Sequence, residues 1–492
     1  MRSAEWPGGK PGVVPDLDPD FAPAALFHRA FDAAVASSGG AAVGIALEHA
    51  DGSVYRWTTG ALPAGHPQAR HNFLNLERQV KFLLWSRGAY RIYVQAPGDL
   101  TTQLQQHFAQ TETGAFDQDI MGRRVFERPF EILAVGAGEL PAEKVRSVPL
   151  GRHLNGCRIG FDLGASDRKA AAVVDGEVVF SEEVDWNPVP QSNPQWHFDQ
   201  IMDSLKRAAA HLPRVDAIGG SSAGVIVQNH VKLATLFRGV PPDEFARRVK
   251  GLFLEIKAAW GGIPFEIVND GEVTALAGSM SLGDNAVLGV ALGSSQAAGY
   301  VTPEGNITPW LNELAFAPVD YQPDAPADEW SKDVGCGVQY VSQQAVGRLV
   351  PKVGLAFPKE MPLPEQLKEV QALMARGDQR AISIYRTLGA YLGYGLAHYA
   401  RFYPMRHALV LGRVTTGSGG DLMLERARQV LETDFPELAD RLSFHMPDEK
   451  NKRHGQAIAA ASLPVAPPRA ARRKSAPPEG RPRKVSRSGK RN

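Results

Sequence analysis

The stretch Ile159–Ser166 reads IGFDLGAS, and a second stretch, Leu288–Ser295, reads LGVALGSS. The two align over their whole length although they lie far apart in the chain. Each combines a strand-like apolar run with a turn built on Gly164 or Gly293. A short internal repeat of this kind predicts two structurally similar units. We therefore predict two similar α/β lobes that face each other across a cleft.

The sequence around the two copies predicts the same hairpin twice. The predicted strands are Arg158–Leu163, Arg168–Val174 and Glu177–Glu182 in the first copy, and Val287–Leu292, Gln296–Val301 and a strand from Ile307 onward in the second. Glycine lets the backbone of a turn approach an anion, and successive N–H groups there favour negative charge. We expect phosphate at these turns, although such a turn alone is more often only a turn. The candidate phosphate-binding residues are Gly164, Ser166, Gly293, Ser294 and Ser295.

The composition is typical of a globular protein with more than one domain. The chain has 492 residues, of which 43% are hydrophobic and 22% charged. Its apolar runs are shorter than the roughly 20 residues of a membrane helix, so no membrane span is predicted. No secretory signal is recognisable at the N-terminus, and we expect a cytoplasmic protein. Cys157 and Cys336 are too few for a disulfide framework.

Positive charge is concentrated at the C-terminal end. Residues 469–492 hold ten Lys or Arg and one Glu, whereas the rest of the chain has 44 basic and 52 acidic residues. The body is therefore a poor general binder of nucleic acid. The segment 465–492 has too little apolar surface to fold, and we predict a disordered basic tail. Two interpretations stay open for it: a solvated terminus, or a contact with a polyanion or a membrane surface.

The first third of the chain predicts a small α/β accessory domain. Residues 1–22 are rich in Gly and Pro and are expected to be a flexible leader. The elements expected in or near 23–150 are helices at Phe21–Val35, Leu74–Ser86 and Leu100–Gln110, and strands at Ala41–Leu47, Val54–Thr58, Tyr90–Gln95 and Phe130–Val135. We find no chemical motif there and no short helix-turn-helix pattern, so the role of this domain stays open.

Seven separated segments carry a resemblance to a known family. They are IGFDLGASDRKAAAVVDG (159–176), AIGGSSAG (217–224), IPFEIVNDGEVTALAG (263–278), LGVALGSSQAAGYVTPEGNI (288–307), LNELAF (311–316), VGCGVQYVSQQAV (334–346) and HALVLGRVTTGSGG (407–420). In this order they resemble the ROK family of sugar kinases and sugar-responsive regulators, in the actin/Hsp70/sugar-kinase superfamily. The resemblance implies two ribonuclease-H-like lobes, 151–285 and 286–464, around an ATP/Mg²⁺ cleft, with a sugar held against the first lobe.

The resemblance implies a catalytic carboxylate in the pair Asn269-Asp270. Asp270 would accept the proton of a sugar hydroxyl as general base. The alternative interpretation makes it the N-cap of the following helix. Asp162 matches the acidic residue that orients Mg²⁺ with the nucleotide, and a single carboxylate suffices for such a metal. Lys169, nearby, is expected to be a solvated residue of the strand face.

A polar sugar pocket follows from the same resemblance. Asn229, Asn269 and Glu313 would form its floor, because sugar hydroxyls need both acceptors and donors. Gly412 follows the predicted strand His407–Leu411 and opens the loop expected to seat the adenosine. The segment Ile382–Tyr403 before that strand predicts a long helix with one buried face.

Two motifs depart from the family pattern. The second phosphate turn has Ser295 where the family has glycine, which narrows the space for a triphosphate. The zinc-binding Gly-Glu-x-Gly-His segment reads Asn312-Glu313-Leu314-Ala315-Phe316, and only Cys336 remains of its cysteine cluster. A structural zinc site needs about four ligands, so no zinc is expected. Phe316 and the run Val338–Ala345 are expected to form an apolar substitute.

The leading hypothesis is an ATP-dependent kinase that phosphorylates a hydroxyl of a hexose or a related sugar. The alternative is a non-catalytic, ROK-like sugar-sensing or regulatory protein. A third possibility is an ATPase with an acyl or amino acceptor, because the fold alone does not distinguish them. The expected partners are a small sugar and a nucleotide. A homodimer is compatible with this prediction.

Overall fold

The computed structural model describes residues 7–144, 150–446 and 449–465, with only the backbone given for 449–454. The predicted basic tail lies outside the described residues apart from its first residue, Val465. The architecture is mixed α/β, with two lobes and an N-terminal sheet. No helix among the described residues is long and apolar enough to cross a membrane.

The first lobe is built on a five-stranded sheet of order β11-β8-β5-β6-β7. Its strands are β5 (Cys157–Leu163), β6 (Asp167–Val174), β7 (Glu177–Asp185), β8 (Ala217–Ser222) and β11 (Phe265–Asn269), with a small hairpin of β9 (Val225–Val227) and β10 (His230–Leu233). Its helices are α5 (Pro194–Ala209), α6 (Pro242–Glu244), α7 (Leu252–Ala259) and α8 (Asp270–Leu282). Strands β5, β8 and β11 are parallel, so their carboxyl ends meet at one edge of the sheet.

The second lobe repeats the hairpin in a four-stranded sheet of order β13-β12-β14-β15. Its strands are β12 (Val287–Leu292), β13 (Gln296–Val301), β14 (His407–Leu411) and β15 (Ser443–His445). Its longer helices are α10 (Gln343–Leu349), α11 (Leu363–Ala375), α12 (Gln379–Phe402), α13 (Ser418–Asp434) and α15 (Glu449–Ala461); α9 (Val338–Val341) and α14 (Pro436–Ala439) are single turns. The predicted lobes with matching hairpins are confirmed.

The predicted third strand of the second copy does not form. Ile307 makes one isolated bridge to Val301, and the chain then leaves the sheet. Pro309, two residues later, has no N–H group to donate to a sheet ladder. The two copies of the repeat therefore differ after their second strand.

Helix α15 returns to the first lobe and lies directly on its sheet. A Cβ atom at Gly160 would fall 2.2 Å from Ala457 O, and one at Gly219 would fall 1.8 Å from Ala460 O. Only glycine allows a helix backbone to approach a strand this closely. The other face of the sheet carries Phe161 and Leu163, which are buried in the core of the lobe.

The N-terminal region forms its own sheet but shares its core with the second lobe. The sheet order is β2-β1-β3-β4, with β1 (Ala41–Glu48), β2 (Val54–Ala61), β3 (Arg91–Gln95) and β4 (Glu131–Ala134). The helices are α1 (Ala24–Ser37), α2 (Asn72–Arg87), α3 (Leu100–Gln110) and α4 (Glu112–Gln118), which continues as a π-helix over Asp119–Phe126. Phe82 stacks on Phe402 of α12 with ring centroids 3.9 Å apart. A single apolar cluster therefore spans the N-terminal sheet and α12.

The described part of the leader differs from the predicted flexible segment. The N–H groups of Gly12, Val13 and Leu17 donate to side chains of α12 and α13 at 2.9–3.2 Å. Phe21 is 3% exposed and packs edge-on against Tyr391. Composition suggested flexibility because Gly and Pro are frequent there, but the hydrogen-bond partners lie far away in sequence.

Candidate functional site

The first carboxylate of the site lies at the start of α8. Asn269, the last residue of β11, is the N-cap: its Oδ1 accepts from Gly271 N at 2.7 Å, and its Nδ2 donates to Gly224 O at 2.8 Å. Asp270 is the first helical residue and is partly buried. Its Oδ1 also accepts from Gly271 N, at 3.0 Å. The capping role considered for Asp270 thus falls mainly to Asn269.

The second carboxylate, Asp162, lies near the end of β5. Its Oδ1 accepts a hydrogen bond from the Ser221 hydroxyl of β8 at 2.6 Å. Lys169 lies across the hairpin, with Nζ 3.7 Å from Asp162 Oδ2 and 2.6 Å from Asp167 Oδ1. Lys169 is therefore not simply solvated, as the sequence suggested, but neutralises part of the charge of this edge.

The third carboxylate, Glu313, lies in the loop between the second-lobe hairpin and α9. Burial and the nearby charge of Asp270 raise the pKa of Glu313 to about 7. Burial and the charge of Asp162 raise the pKa of Asp270 to about 6. Burial also raises the pKa of Asp162. Since each carboxyl acts on the next, the structure brings these three predicted residues together.

A cavity of about 270 Å³ lies beside Asp162, on the face of the first-lobe sheet that α15 partly covers. Asp162 and Lys169 contribute to its wall together with Ser181 of β7 and Gln456 of α15. The cavity gives a ligand of moderate size access to Asp162. A cationic and an anionic side chain at one wall suit a metal–phosphate group, which carries both kinds of charge.

The two predicted phosphate turns differ in length, because the hydrogen bond of the glycine N–H spans three residues in the first turn and two in the second. Gly164 N donates to Asp167 O, and Gly293 N donates to Ser295 O, both at 2.9 Å. The side chains of Ser166, Ser294 and Ser295 are exposed. The hydroxyl groups are thus accessible, although Ser166 Oγ donates to Asp167 Oδ2 at 3.0 Å.

Gly412 lies against Leu292, the last residue before the second phosphate turn. It has φ +111°, and a Cβ atom there would lie 2.4 Å from Leu292 O. Position 412 therefore requires glycine on two grounds. Burial raises the pKa of Asp167, but Lys169, Ser166 and, more weakly, the charge of Arg413, the residue after Gly412, together lower it. The loop after β14 therefore lies near the first phosphate turn.

Asn229 does not have the environment predicted for it. Its Oδ1 accepts from Ile267 N at 2.7 Å, and its Nδ2 donates to Glu266 Oε2 at 3.1 Å. Both ends of the amide thus bind β11. At φ +61° Asn229 supports the turn between β9 and β10, a position that asparagine tolerates. In this arrangement Asn229 serves the fold rather than a sugar, which corrects the prediction.

The surroundings of Phe316 fit a packed core and not a metal. Phe316 stacks on Trp85 of α2 with centroids 4.2 Å apart and on Trp330 with centroids 6.1 Å apart. Burial raises the pKa of the Cys336 thiol, which keeps it protonated. The described residues include no cluster of three or more His, Cys, Asp or Glu placed to hold a metal. That zinc is not used stays a prediction.

A buried ion cluster beside Phe316 could not be predicted from the sequence. Lys81 of α2 lies 2.7 Å from Asp117 and 3.2 Å from Asp333, and Arg78 lies 3.1 Å from Asp333. All four side chains are less than 10% exposed. From the sequence alone, Arg78 and Lys81 are typical of solvent-exposed helix positions. Their partners Asp117 and Asp333 lie far away in the chain, so the sequence does not indicate the pairing.

Glu272, in the first turn of α8, is another residue that sequence analysis missed. Its Oε1 accepts from Asn312 Nδ2. Burial raises the pKa of Glu272 to about 8. Its place two residues after Asp270 was the only available signal, and helix periodicity does not distinguish that position from an ordinary core residue.

Among the comparisons with known proteins, only the comparison of structures finds similar proteins. No family model matches the sequence, and no curated protein matches it. Among solved structures, a ROK family transcriptional regulator described as a homologue of the E. coli MLC protein is 19% identical, with a TM-score of 0.52 over 63% of this chain and 79% of that chain.

Two kinases are similar to this chain as well. A ROK hexokinase from Thermus thermophilus is 17% identical, with a TM-score of 0.49 over 62% of this chain and 97% of its own. A ROK family glucokinase from Streptomyces griseus, solved with glucose and AMPPNP, is 20% identical, with a TM-score of 0.46 over 62% of this chain and 99% of its own.

Identities this low establish the fold and nothing finer, and of these three structures only the regulator exceeds a TM-score of 0.5. The predicted α/β fold with two lobes agrees with that match. The resemblance seen in the seven sequence segments is thereby confirmed at the level of architecture: this chain contains the two-lobed, actin-like fold of the ROK proteins.

Proposed function

We propose that this protein is an ATP-dependent sugar kinase, which transfers the γ-phosphoryl group to a hydroxyl of a hexose or a related sugar. The observation that carries the proposal is the convergence of Asp162, Asp270 and Glu313. Burial raises the pKa of all three carboxyls, the charge of Asp162 raises that of Asp270 further, and the charge of Asp270 raises that of Glu313 further. Perturbed acids at a cleft are typical of catalytic sites.

Asp270 is the proposed general base. A pKa of about 6 leaves it mostly ionised at neutral pH and still basic enough to accept a proton from a hydroxyl. Capping by Asn269 holds the first turn of α8 and so fixes the backbone that carries Asp270. The proton of the sugar hydroxyl would pass to a carboxylate oxygen of Asp270 as that hydroxyl attacks phosphorus.

Glu313 is the proposed sugar ligand. With a pKa of about 7 it is divided between its acid and its carboxylate near neutrality, so it can donate to or accept from a hydroxyl. Asn269 supports the turn at Gly224 through its amide and lies at the same edge of the sheet. Asn229 is left out of this proposal because β11 uses both ends of its amide.

The nucleotide is proposed to lie between the two phosphate turns. Mg²⁺, when bound with ATP, would neutralise phosphate charge, and Asp162 with phosphate oxygens and water would hold it. Asp162 fits this task because a carboxylate near a cavity, opposite a lysine, is suited to a metal–phosphate pair. Ser166, Ser294 and Ser295 offer exposed hydroxyls, and Gly164 and Gly293 carry no side chain that would block a phosphate. Gly412 instead allows the loop after β14 to lie close to Leu292.

The deciding experiment is ADP release from Mg-ATP over a panel of hexoses and amino sugars, with native protein and with Asp270→Asn. A kinase releases ADP only with one or a few of these sugars, and the variant loses about 10²–10⁴-fold in kcat. Equal release with and without sugar, or equal rates in both proteins, would remove the proposal.

The second candidate is a sugar sensor without catalysis. Two features favour this candidate. Ser295 stands where the family has a glycine in the second phosphate turn, and both ends of the Asn229 amide hydrogen-bond to β11. In that case calorimetry would detect sugar binding to native protein and to Asp270→Asn, while ATP would bind to neither and no ADP would appear. A kinase must bind both ligands.

A further inference from the structure

The loop that carries Glu313 rests on the end of an N-terminal helix. Helix α2 ends at Arg87, and the last carbonyl groups of a helix lack partners within it. The N–H of Asn312 donates to Ser86 O at 3.0 Å, and the N–H of Glu313 donates to Trp85 O at 2.9 Å. The loop therefore supplies the missing partners of α2, and α2 fixes the backbone of Glu313.

Arg87 holds the same loop from its other side. Its side chain is fully buried, and the guanidinium lies 3.7 Å from the ring centroid of Trp310 and 4.4 Å from that of Tyr403. It also donates to Phe402 O. A cation above aromatic faces is attracted by the ring quadrupole, most strongly where water is excluded. Trp310, three residues before Glu313, is thereby fixed.

Asn312 connects the loop to the helix of the proposed base. Its Nδ2 donates to Glu272 of α8, and its Oδ1 accepts from the Tyr403 hydroxyl at 2.8 Å. The backbone of Asn312 has φ +52°, which asparagine tolerates better than most residues. Contacts thus run without interruption from Arg87 through Tyr403 and Asn312 to Glu272, two residues from Asp270.

The N-terminal region also reaches the first lobe. Glu127 follows the π-helical turn. Its carboxylate accepts a hydrogen bond from Lys232 Nζ at 2.8 Å and also pairs with Lys250. Val225 of β9, three residues after the end of β8, belongs to the same apolar cluster as α2. Both lobes are therefore contacted by one N-terminal segment.

We propose that the segment Asn72–Glu127 is the positioning element of the sugar pocket, with Arg87 and Asn312 as positioning residues for Glu313. The inference rests on the proposed role of Glu313 as sugar ligand. The segment orders Trp310–Phe316, the loop that includes a zinc ligand in the family this chain resembles. Trp85, stacked on Phe316, and the Lys81–Asp333 ion pair complete this support. The specificity of the pocket thus depends on a region outside the two lobes.

The test compares Arg87→Met with Arg91→Met in the full chain. Arg91 lies on β3 of the same region, pairs with Glu48 and Glu131, and does not contact the loop. Hydrogen exchange at the amides of Asn312 and Glu313 should be about tenfold faster in Arg87→Met, with Leu252–Ala259 of the first lobe unchanged. Arg91→Met should match native protein.

Kinetics provide the second arm. In Arg87→Met, KM for the sugar that native protein phosphorylates should rise about tenfold, while KM for ATP stays within about twofold, because only sugar contacts are displaced. Tyr403→Phe removes only the hydroxyl that donates to Asn312 Oδ1. It should raise the KM for the sugar less than Arg87→Met does. This conservative variant serves if Arg87→Met does not fold.

Unchanged exchange at Asn312 and Glu313 would overturn the inference. So would a uniform rise in exchange over the whole chain, or equal changes of both KM values, since either indicates a general loss of structure. If native protein shows no sugar-dependent ADP release, the proposed function fails. The exchange measurement alone then decides whether α2 orders this loop.

Discussion

At the scale of single residues, the group Asp162, Asp270 and Glu313 has consequences for pH. Burial and neighbouring charge raise the pKa of Asp270 to about 6 and that of Glu313 to about 7. A general base must be ionised to accept a proton. As pH falls below 6, protonation of Asp270 removes the base, whereas Glu313 can bind a hydroxyl in either protonation state.

We therefore expect kcat/KM of the kinase reaction to fall by about tenfold per pH unit below about pH 6. The measurement is the pH profile of sugar-dependent ADP release between pH 5 and 9. Asp270→Asn serves as the control, because its residual rate should lack the step near pH 6. A native profile that stays level down to pH 5 contradicts the assignment of Asp270.

A second residue-scale prediction concerns His398, which is 1% exposed and stacks on His28. Burial and the charge of Arg401 lower the pKa of His398 to about 3. In the unfolded chain this histidine takes up a proton near pH 6.5, whereas the folded protein keeps it neutral. Acidification below pH 6.5 thus favours the unfolded state, down to about pH 3.

Between pH 7.5 and 5, His398 should lower the free energy of unfolding by about 2 kcal/mol, at about 1.4 kcal/mol per pH unit below 6.5. Denaturant unfolding of native protein and of His398→Phe at both pH values measures this difference. The variant should lose less stability on acidification than native protein. Equal losses would show that His398 does not resist protonation.

At the scale of elements, α12 contains two glycines with opposite surroundings. A Cβ atom at Gly393 would fall 2.6 Å from Val430 Cβ and 2.8 Å from Ala427 O of α13, while one at Gly395 would meet no atom within 4 Å. Both positions are buried. Gly393 thus permits close contact between two helices, and Gly395 only leaves backbone entropy to be lost on folding.

Gly393→Ala should lower the free energy of unfolding by about 1–3 kcal/mol through overpacking. Gly395→Ala should raise it by about 0.5–1 kcal/mol, because alanine is the better helix former. Chemical denaturation of the two variants next to native protein tests the pair. The opposite order of stability would show that α12 and α13 do not pack as described.

The elements were predicted well where one local pattern decides them. Strands β12, β13 and β14 match their predicted bounds, because apolar runs there end at glycine turns. The strand from Ile307 was wrong because Pro309 prevents pairing. Asp162, Asp270 and Glu313 were proposed as site residues from the order of the motifs in the family resemblance, and this assignment stays a prediction. Glu272, Arg87 and the true environment of Asn229 depend on contacts between distant segments, which periodicity does not encode.

At the scale of the whole molecule, the N-terminal region and the second lobe form one apolar cluster. Phe82 and Trp57 of the N-terminal region both stack on Phe402 of α12. We propose that residues 23–150 are continuous in sequence but do not form a separate folding unit. Removal of residues 1–150 would expose these α12 side chains to water.

A chain that begins at residue 151 should therefore aggregate or bind a hydrophobic dye, whereas the full chain remains monodisperse. Sedimentation and dye fluorescence of both chains, expressed in parallel, check this outcome. Addition of residues 1–150 as a separate polypeptide should restore solubility if the shared core can re-form. A shortened chain that is stable and monodisperse would show that the lobes fold without the N-terminal region.

The bond between Arg87 and Phe402 joins residues 315 positions apart, and this separation matters during synthesis on the ribosome. At about 5–20 residues per second, α12 emerges tens of seconds after α2 has left the exit tunnel. Through that interval Phe82 and Arg87 of the nascent α2 lack their partner Phe402 of α12. Chaperone binding to the growing chain, rather than stepwise completion of independent domains, is the expected route by which this protein reaches its native state.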